Sequence, residues 1–146
     1  MRGRLPLILT LAGGLPFVAL SLMVSMHWFS DAKAVLSFLL TYAAVIISFL
    51  GGVHWGFAVQ HFHQHRRIAN LLLATSITPP LIAWGILLYP DHYAQLLVLT
   101  LLYSFMWAID SLLYNNDLMP QWFFNIRCII TPVVVVSLYV AYFGLV

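Results

Sequence analysis

Three ionisable side chains lie within apolar stretches of this sequence, where a charged group is costly to bury. They are His54 in SFLGGVHWG, Asp110 in WAIDSLL and Arg127 in FNIRCII. Ionisable groups at membrane depth generally pair with one another or face a cavity, and by default they mark a functional site. An imidazole, a carboxylate and a guanidinium together could bind an anionic ligand or take up a proton.

Asp110 and Arg127 are expected to form an ion pair. Asp110 lies about one helical turn before the end of the fourth apolar segment, and Arg127 lies about one turn into the fifth. Two interpretations stay open: the pair locks two helices together, or it forms a cytoplasm-facing polar pocket with His54. Tyr103, Trp107 and Tyr114 share the Asp110 side of their helix and would line the walls of that pocket.

The segment HFHQHRR contains His61, His63 and His65, and alternating imidazoles could bind a divalent metal such as zinc, copper or nickel. No cysteine or carboxylate joins them locally, and a solvated histidine patch is the alternative interpretation. No other cofactor is predicted.

Small residues recur every fourth position in the second apolar segment, at Ala44, Ser48, Gly52 and Gly56. This spacing is typical of close helix packing in lipid. His54 points away from that stripe and has Gly51 one turn below it on its own side. We therefore predict that Gly51, Gly52 and Gly56 all serve helix packing, and that this segment is the central helix of the bundle.

Proline interrupts three of the apolar segments. Pro79 and Pro80 free the carbonyls of Thr75 and Ser76 near mid-membrane, and unsatisfied backbone at that depth must face protein, water or a ligand. Pro16 and Pro132 interrupt the first and fifth segments. Both plain kinks and broken, site-lining helices fit this pattern.

The composition indicates which elements position these residues. Of 146 residues, 63% are hydrophobic and 7% are charged, so the surrounding solvent must be lipid. A net charge of +2, scattered along the chain, gives no indication of nucleic-acid binding. A membrane-spanning helix needs about 20 apolar residues. We therefore predict a single all-α domain over 1–146, an antiparallel up-down bundle of five transmembrane helices at about 5–26, 34–60, 68–89, 93–114 and 123–145.

Basic residues near the helix ends predict the orientation. Arg2, Arg4, Arg66, Arg67 and Arg127 fall at one end of an up-down bundle, against Lys33 at the other. The N terminus is therefore expected in the cytoplasm and the C terminus outside.

Four segments of the sequence resemble one family: LAGGLPF (11–17), YAAVIISFLGGVHWG (42–56), TPPLIAW (78–84) and PQWFFNIRCIITP (120–132). The resemblance is to small polytopic membrane proteins related to mitochondrial transmembrane protein 69, which also occur in bacteria. It implies a shared fold but no activity. No mitochondrial transit peptide is recognisable, so we expect a bacterial inner membrane. The positions that match the family's motifs are Gly51, Gly52, His54, Trp55, Gly56, Trp122, Arg127 and Thr131.

Three classes of function remain open from the sequence. The favoured one is a binding or transport protein that takes a proton-linked or anionic amphipathic ligand in a pocket of His54, Asp110, Arg127, Tyr103, Trp107 and Thr131. The second is an accessory or assembly subunit of a larger membrane complex, or a homo-oligomer. The third is a metal-binding membrane protein that uses the histidine loop. The spanning segments contain no nucleophile arrangement or carboxylate dyad, so an enzyme is not favoured.

Overall fold

The computed structural model describes residues 4–28 and 31–145. Within them the chain forms five helices, each long and apolar enough to cross a membrane. The helices are α1 (Arg4–Ser25), α2 (Ala32–His61), α3 (Arg66–Leu87), α4 (His92–Asn115) and α5 (Gln121–Phe143). All ten helix ends lie within two residues of the predicted positions, which confirms the all-α membrane bundle.

Short, locally stabilised connections separate the helices. Asp31 caps α2 by accepting a 3.0 Å hydrogen bond from the Ala34 amide, and Asp91 caps α4 by accepting one of 2.9 Å from the Tyr93 amide. Because connections this short can only link neighbouring helix ends, successive helices run antiparallel.

The turn between α4 and α5 is a Schellman motif. The Leu118 amide donates to the Leu113 carbonyl and the Asp117 amide donates to the Tyr114 carbonyl. Asp117 occupies the left-handed position of this motif, with φ of 57°, where glycine is usual. The motif ends α4 sharply, so that α5 returns alongside it.

The helices pack as a closed ring, α1 to α5 in chain order, because α5 packs on α1 as well as on α4. In addition, α2 packs on α4 across the ring. This contact divides the bundle into two halves that share α2 and α4. The three-helix half adds α3 to them, and the four-helix half adds α1 and α5. The central position predicted for α2 is confirmed, and α4 shares it.

Four of the predicted cytoplasmic arginines, Arg4, Arg66, Arg67 and Arg127, lie at or near one end of the bundle. Lys33 lies at the other end, while Arg2 is outside the described residues. The direction in which this bundle crosses the membrane stays a prediction.

Candidate functional site

His54, Asp110 and Arg127 meet in a buried cluster where α2, α4 and α5 converge. The Nε2 atom of His54 lies 2.9 Å from one oxygen of Asp110, and the Nε of Arg127 donates a 2.6 Å hydrogen bond to the other. His54 and Asp110 are each 1% exposed and Arg127 is 6% exposed. The predicted ion pair is confirmed, and His54 joins it through the same carboxylate.

Helix length explains why the three side chains meet. Each lies between one and two turns from the same end of the bundle, roughly 7 to 11 Å along its own helix at 1.5 Å per residue. The Schellman turn aligns Asp110 with Arg127, and the α2–α4 contact brings His54 to the same depth.

Gly51 holds α3 against α2 one turn from His54. Because Pro80 lacks an amide hydrogen, it leaves the Ser76 carbonyl free, and this oxygen faces Gly51. A Cβ added to Gly51 would overlap that oxygen and lie 2.9 Å from Pro80 Cγ. The proline step therefore serves close packing between α2 and α3, and Gly51 has its predicted packing role.

Gly52 and Gly56 do not pack against any other helix of the described chain, so a packing role for them would need a helix of another chain and stays a prediction. Both face outward, and a Cβ on either would meet no heavy atom within 4 Å. The physical reason is the rotation of α2: the face that carries Gly51 and His54 is buried against other helices. The neighbouring face, with Gly52, Trp55 and Gly56, is exposed at the surface of the bundle.

The carboxylate of Asp110 uses both of its oxygens within the cluster. An ionised carboxylate can only accept, so the Nε2 atom of His54 carries the hydrogen that is donated to it. The Nδ1 atom of His54 is buried and has no hydrogen-bond partner among the described residues. That nitrogen is a free site for a proton.

A crevice of about 300 Å³ lies in the four-helix half of the bundle, beside the cluster. Its lining is almost entirely apolar, with Arg127, Tyr103 and Thr131 among the few polar side chains. Leu9 of α1 and Phe49 of α2 border it and are themselves largely exposed on the lipid-facing surface. The crevice therefore reaches the lipid-facing surface between α1 and α2.

Two residues that line this crevice each carry a buried polar atom with no hydrogen-bond partner within the described chain. They are the Nη2 nitrogen of Arg127 and the hydroxyl of Thr131, one turn apart on α5 and both about 95% buried. Leaving a buried polar atom unpaired typically costs about 1–3 kcal/mol, and more for a charged group. Such atoms in a native fold need a specific explanation.

The unpaired state of Thr131 contrasts with the other buried hydroxyls. Those of Ser21, Thr75, Ser76, Thr100 and Ser137 each donate to a backbone carbonyl three or four residues earlier. Back-bonding of this kind is the usual arrangement for hydroxyls in helices. Among the buried serine and threonine hydroxyls of the described residues, that of Thr131 alone lacks such a bond, and Thr131 is one of the residues that line the crevice.

The predicted pocket needs two corrections. Trp107 does not line the crevice: it is 39% exposed, on a face of α4 that points outward. His54 and Asp110 are not among the lining residues either; Asp110 accepts a hydrogen bond from Arg127, which does line the crevice. The predicted polar pocket is thus an apolar crevice with a guanidinium and a hydroxyl in its wall.

Tyr103 has a structural role beside its contact with the crevice. Its hydroxyl donates a 2.9 Å hydrogen bond to the Ala43 carbonyl, which ties α4 to α2. Its ring packs edge-on against Phe17 of α1, with centroids 5.7 Å apart.

The wall formed by α1 was missed by sequence reasoning about the site. Tyr42 donates a 2.8 Å hydrogen bond to the Gly13 carbonyl, and a Cβ on Gly14 would lie 2.6 Å from Ile130 of α5. Gly14 therefore lets α1 approach α5, while the carbonyl of Gly13 accepts the bond that ties α1 to α2. The motif itself was the available signal, but its face on the helix could not be assigned.

The loop histidines are not gathered into a metal site. Among the described residues, no group of three His, Cys, Asp or Glu side chains is placed to hold a metal ion. The helix ends at His61, whose Nδ1–H donates a 3.0 Å hydrogen bond to the Phe57 carbonyl. His63 and His65 follow in an exposed turn, so the three imidazoles do not share a helix face.

Comparison with known proteins gives one family match and two similar relatives. A family model described as "Protein of unknown function (DUF3429)" matches residues 3–143. Transmembrane protein 69 of Xenopus tropicalis is 35% identical over 135 residues, which is 90% of this chain and 51% of that protein. Transmembrane protein 69 of Mus musculus is 30% identical over 132 residues, which is 90% of this chain and 52% of that protein.

This chain therefore spans about half the length of the curated relatives that it matches. No solved structure matches it. The matches confirm the resemblance read from the glycine–histidine and tryptophan–arginine motifs. The chain is a multi-pass membrane protein that belongs to the DUF3429 family.

Proposed function

We propose that the protein binds a lipid-soluble ligand in the crevice of its four-helix half, with Arg127 and Thr131 as the polar anchors. The observation that carries this proposal is the pair of buried, unpaired donors at an otherwise apolar cavity. A ligand oxygen would pair both groups and remove the cost of leaving them unsatisfied. The exposed side chains of Leu9 and Phe49 at its border place the crevice within reach of the bilayer.

The volume of the crevice limits the size of its ligand. At about 300 Å³ it lies at the lower end of the roughly 300–1,000 Å³ found for small-molecule sites. This suits one compact molecule or a single apolar chain better than a two-chain phospholipid. We include in the proposal that the protein resides in a bacterial inner membrane with its N terminus in the cytoplasm, supported by the arginines at one end of the bundle.

A ligand-dependent stabilisation experiment tests the proposal. Protein stripped of lipid by detergent exchange is mixed with lipid extracted from the membranes of its expression host, and its thermal unfolding is followed. Ligands that bind only the folded state raise the unfolding temperature. We expect the extract to stabilise wild type and Ser137→Ala, but not Thr131→Val.

Ser137→Ala is the matched control because it also removes a buried hydroxyl from α5. Ser137, however, is already bonded to the Val133 carbonyl and does not line this crevice. Equal stabilisation of all three proteins, or of none, would contradict the proposal.

A second candidate is an accessory subunit or homo-oligomer. The specific observation in its favour is the outward face of α2, where Gly52 and Gly56 are open to a neighbouring helix. Gly52→Leu together with Gly56→Leu would abolish cross-linked oligomers or co-purification of a partner subunit if this face is an interface. Unchanged association in the double variant would exclude the role.

A further inference from the structure

The hydrogen bonds of Arg127 restrict the chemistry of its ligand. The guanidinium bonds to Asp110 through Nε alone, which leaves its terminal nitrogens on the other edge. Nη2 is buried and unpaired, as is the hydroxyl of Thr131 one turn further along α5. A guanidinium edge with two parallel N–H groups matches a carboxylate in a bidentate arrangement. The free edge therefore suits a carboxylate better than a single neutral oxygen.

The net charge of the cluster limits which charged ligands it can bind. Asp110 and Arg127 cancel, so the cluster is neutral when His54 is neutral. A bound carboxylate would leave one uncompensated negative charge in a buried, weakly polarisable environment, where such a charge is costly. One additional proton restores neutrality.

The geometry places that proton on His54. Nε2 of His54 already donates to Asp110, and Nδ1 is buried without a partner. The other titratable side chain buried beside the cluster is Tyr103, whose hydroxyl is engaged with the Ala43 carbonyl. From α3, the buried polar side chains are the uncharged Thr75 and Ser76, and from α1 the crevice receives no charged side chain.

We infer that the ligand is a single-chain amphiphile with a carboxylate head, and that each molecule bound is accompanied by one proton taken up on His54. The inference rests on the proposed function, since it names the ligand class of the same crevice. The carboxylate pairs with Arg127 and Thr131, the chain occupies the apolar lining, and Asp110 links the two charged partners.

The test uses two probes of equal chain length, myristate and tetradecanesulfonate, with tetradecanol as the uncharged comparison. Binding to purified protein in detergent is measured by competition against radiolabelled myristate. The sulfonate stays ionised at every pH at which the protein is studied, so any pH dependence of its binding comes from the protein. Over the pH range in which the ligand-free protein no longer carries the extra proton, the dissociation constant of the sulfonate should rise about tenfold per pH unit. Tetradecanol should compete at least tenfold more weakly than myristate.

Proton uptake on wild type, followed with an indicator dye in weak buffer, should reach one proton per sulfonate bound. His54→Gln should bind the sulfonate more weakly and without pH dependence. A pH-independent wild type, or a slope that persists in His54→Gln, overturns the assignment of the proton to His54. If myristate does not bind but lipid extract still stabilises wild type and not Thr131→Val, the carboxylate class is wrong and the proposed function stands. If neither occurs, both fail.

Discussion

Asp110→Asn should destabilise the bundle strongly although the two side chains are nearly equal in size, because the substitution leaves the charge of Arg127 buried without a counter-ion. Asp110 is 1% exposed and accepts hydrogen bonds from both His54 and Arg127. Asparagine keeps one accepting oxygen, and His54 can change tautomer to accept from its amide. What asparagine cannot replace is the negative charge. Orphaning one member of a buried ion pair costs roughly 3–5 kcal/mol, and we expect a loss of unfolding free energy in that range.

The control is the same substitution at Asp91, at the opposite end of the same helix. Asp91 is exposed and caps α4, and asparagine caps helices about as well as aspartate. Asp91→Asn should therefore change the free energy of unfolding by less than about 0.5 kcal/mol. Unfolding is measured by titrating SDS into dodecyl maltoside micelles and following helicity by circular dichroism.

The double variant Asp110→Asn with Arg127→Gln separates lost charge balance from lost packing. It buries no net charge, so it should recover part of the stability lost in Asp110→Asn alone. A free energy of unfolding for Asp110→Asn within about 1 kcal/mol of that for Asp91→Asn, below the range for a broken buried pair, would refute the burial of this charge pair. It is also refuted if the double variant is less stable than the single one.

The remaining predictions concern packing, the unpaired hydroxyl and topology. Gly51→Ala should lower the free energy of unfolding by about 1–3 kcal/mol, because the added Cβ overlaps the Ser76 carbonyl. Gly52→Ala should be neutral or slightly stabilising, because a Cβ there meets open space. Equal effects of the two variants in SDS titrations would contradict the packing of α3 on α2. Thr131→Val should leave the ligand-free protein as stable as wild type or more stable, because the substitution removes an unsatisfied hydroxyl. A loss of more than about 1 kcal/mol in the free energy of unfolding would show that the hydroxyl has a partner. Reporter fusions in the turn at 116–120 and at the C terminus should give cytoplasmic and external signals respectively, and a cytoplasmic signal from the C terminus would overturn the orientation.

Much of the fold could be predicted from the sequence because the length of an apolar run and the breaks between runs determine the spans. The Asp110–Arg127 pair was predictable for a related reason: two lone charges at equal depth on a hairpin have few other partners. His54 followed from the same reasoning about depth. The positions of the five helices and the pairing of Asp110 with Arg127 follow from residue spacing along the chain alone.

The orientation of each helix face was harder to predict. In a soluble protein the apolar side of a helix marks the core, but here the lipid-facing side is equally apolar. Gly51 and Gly52 are therefore indistinguishable in the sequence, although one contacts the Ser76 carbonyl and the other faces lipid. Trp107 was assigned inward for the same reason. The unpaired hydroxyl of Thr131 depends on a side-chain conformation, which no sequence pattern specifies.

The central claim is that Arg127 and Thr131 hold a ligand in the crevice, and native mass spectrometry of the intact protein tests it most directly. Wild type and Ser137→Ala, released from mild detergent, should each carry one small-molecule adduct per chain, which Thr131→Val loses while its helicity is unchanged. The adduct should dissociate on collisional activation and have the mass of a single-chain molecule. Identical spectra for wild type and Thr131→Val, with or without an adduct, would contradict the claim.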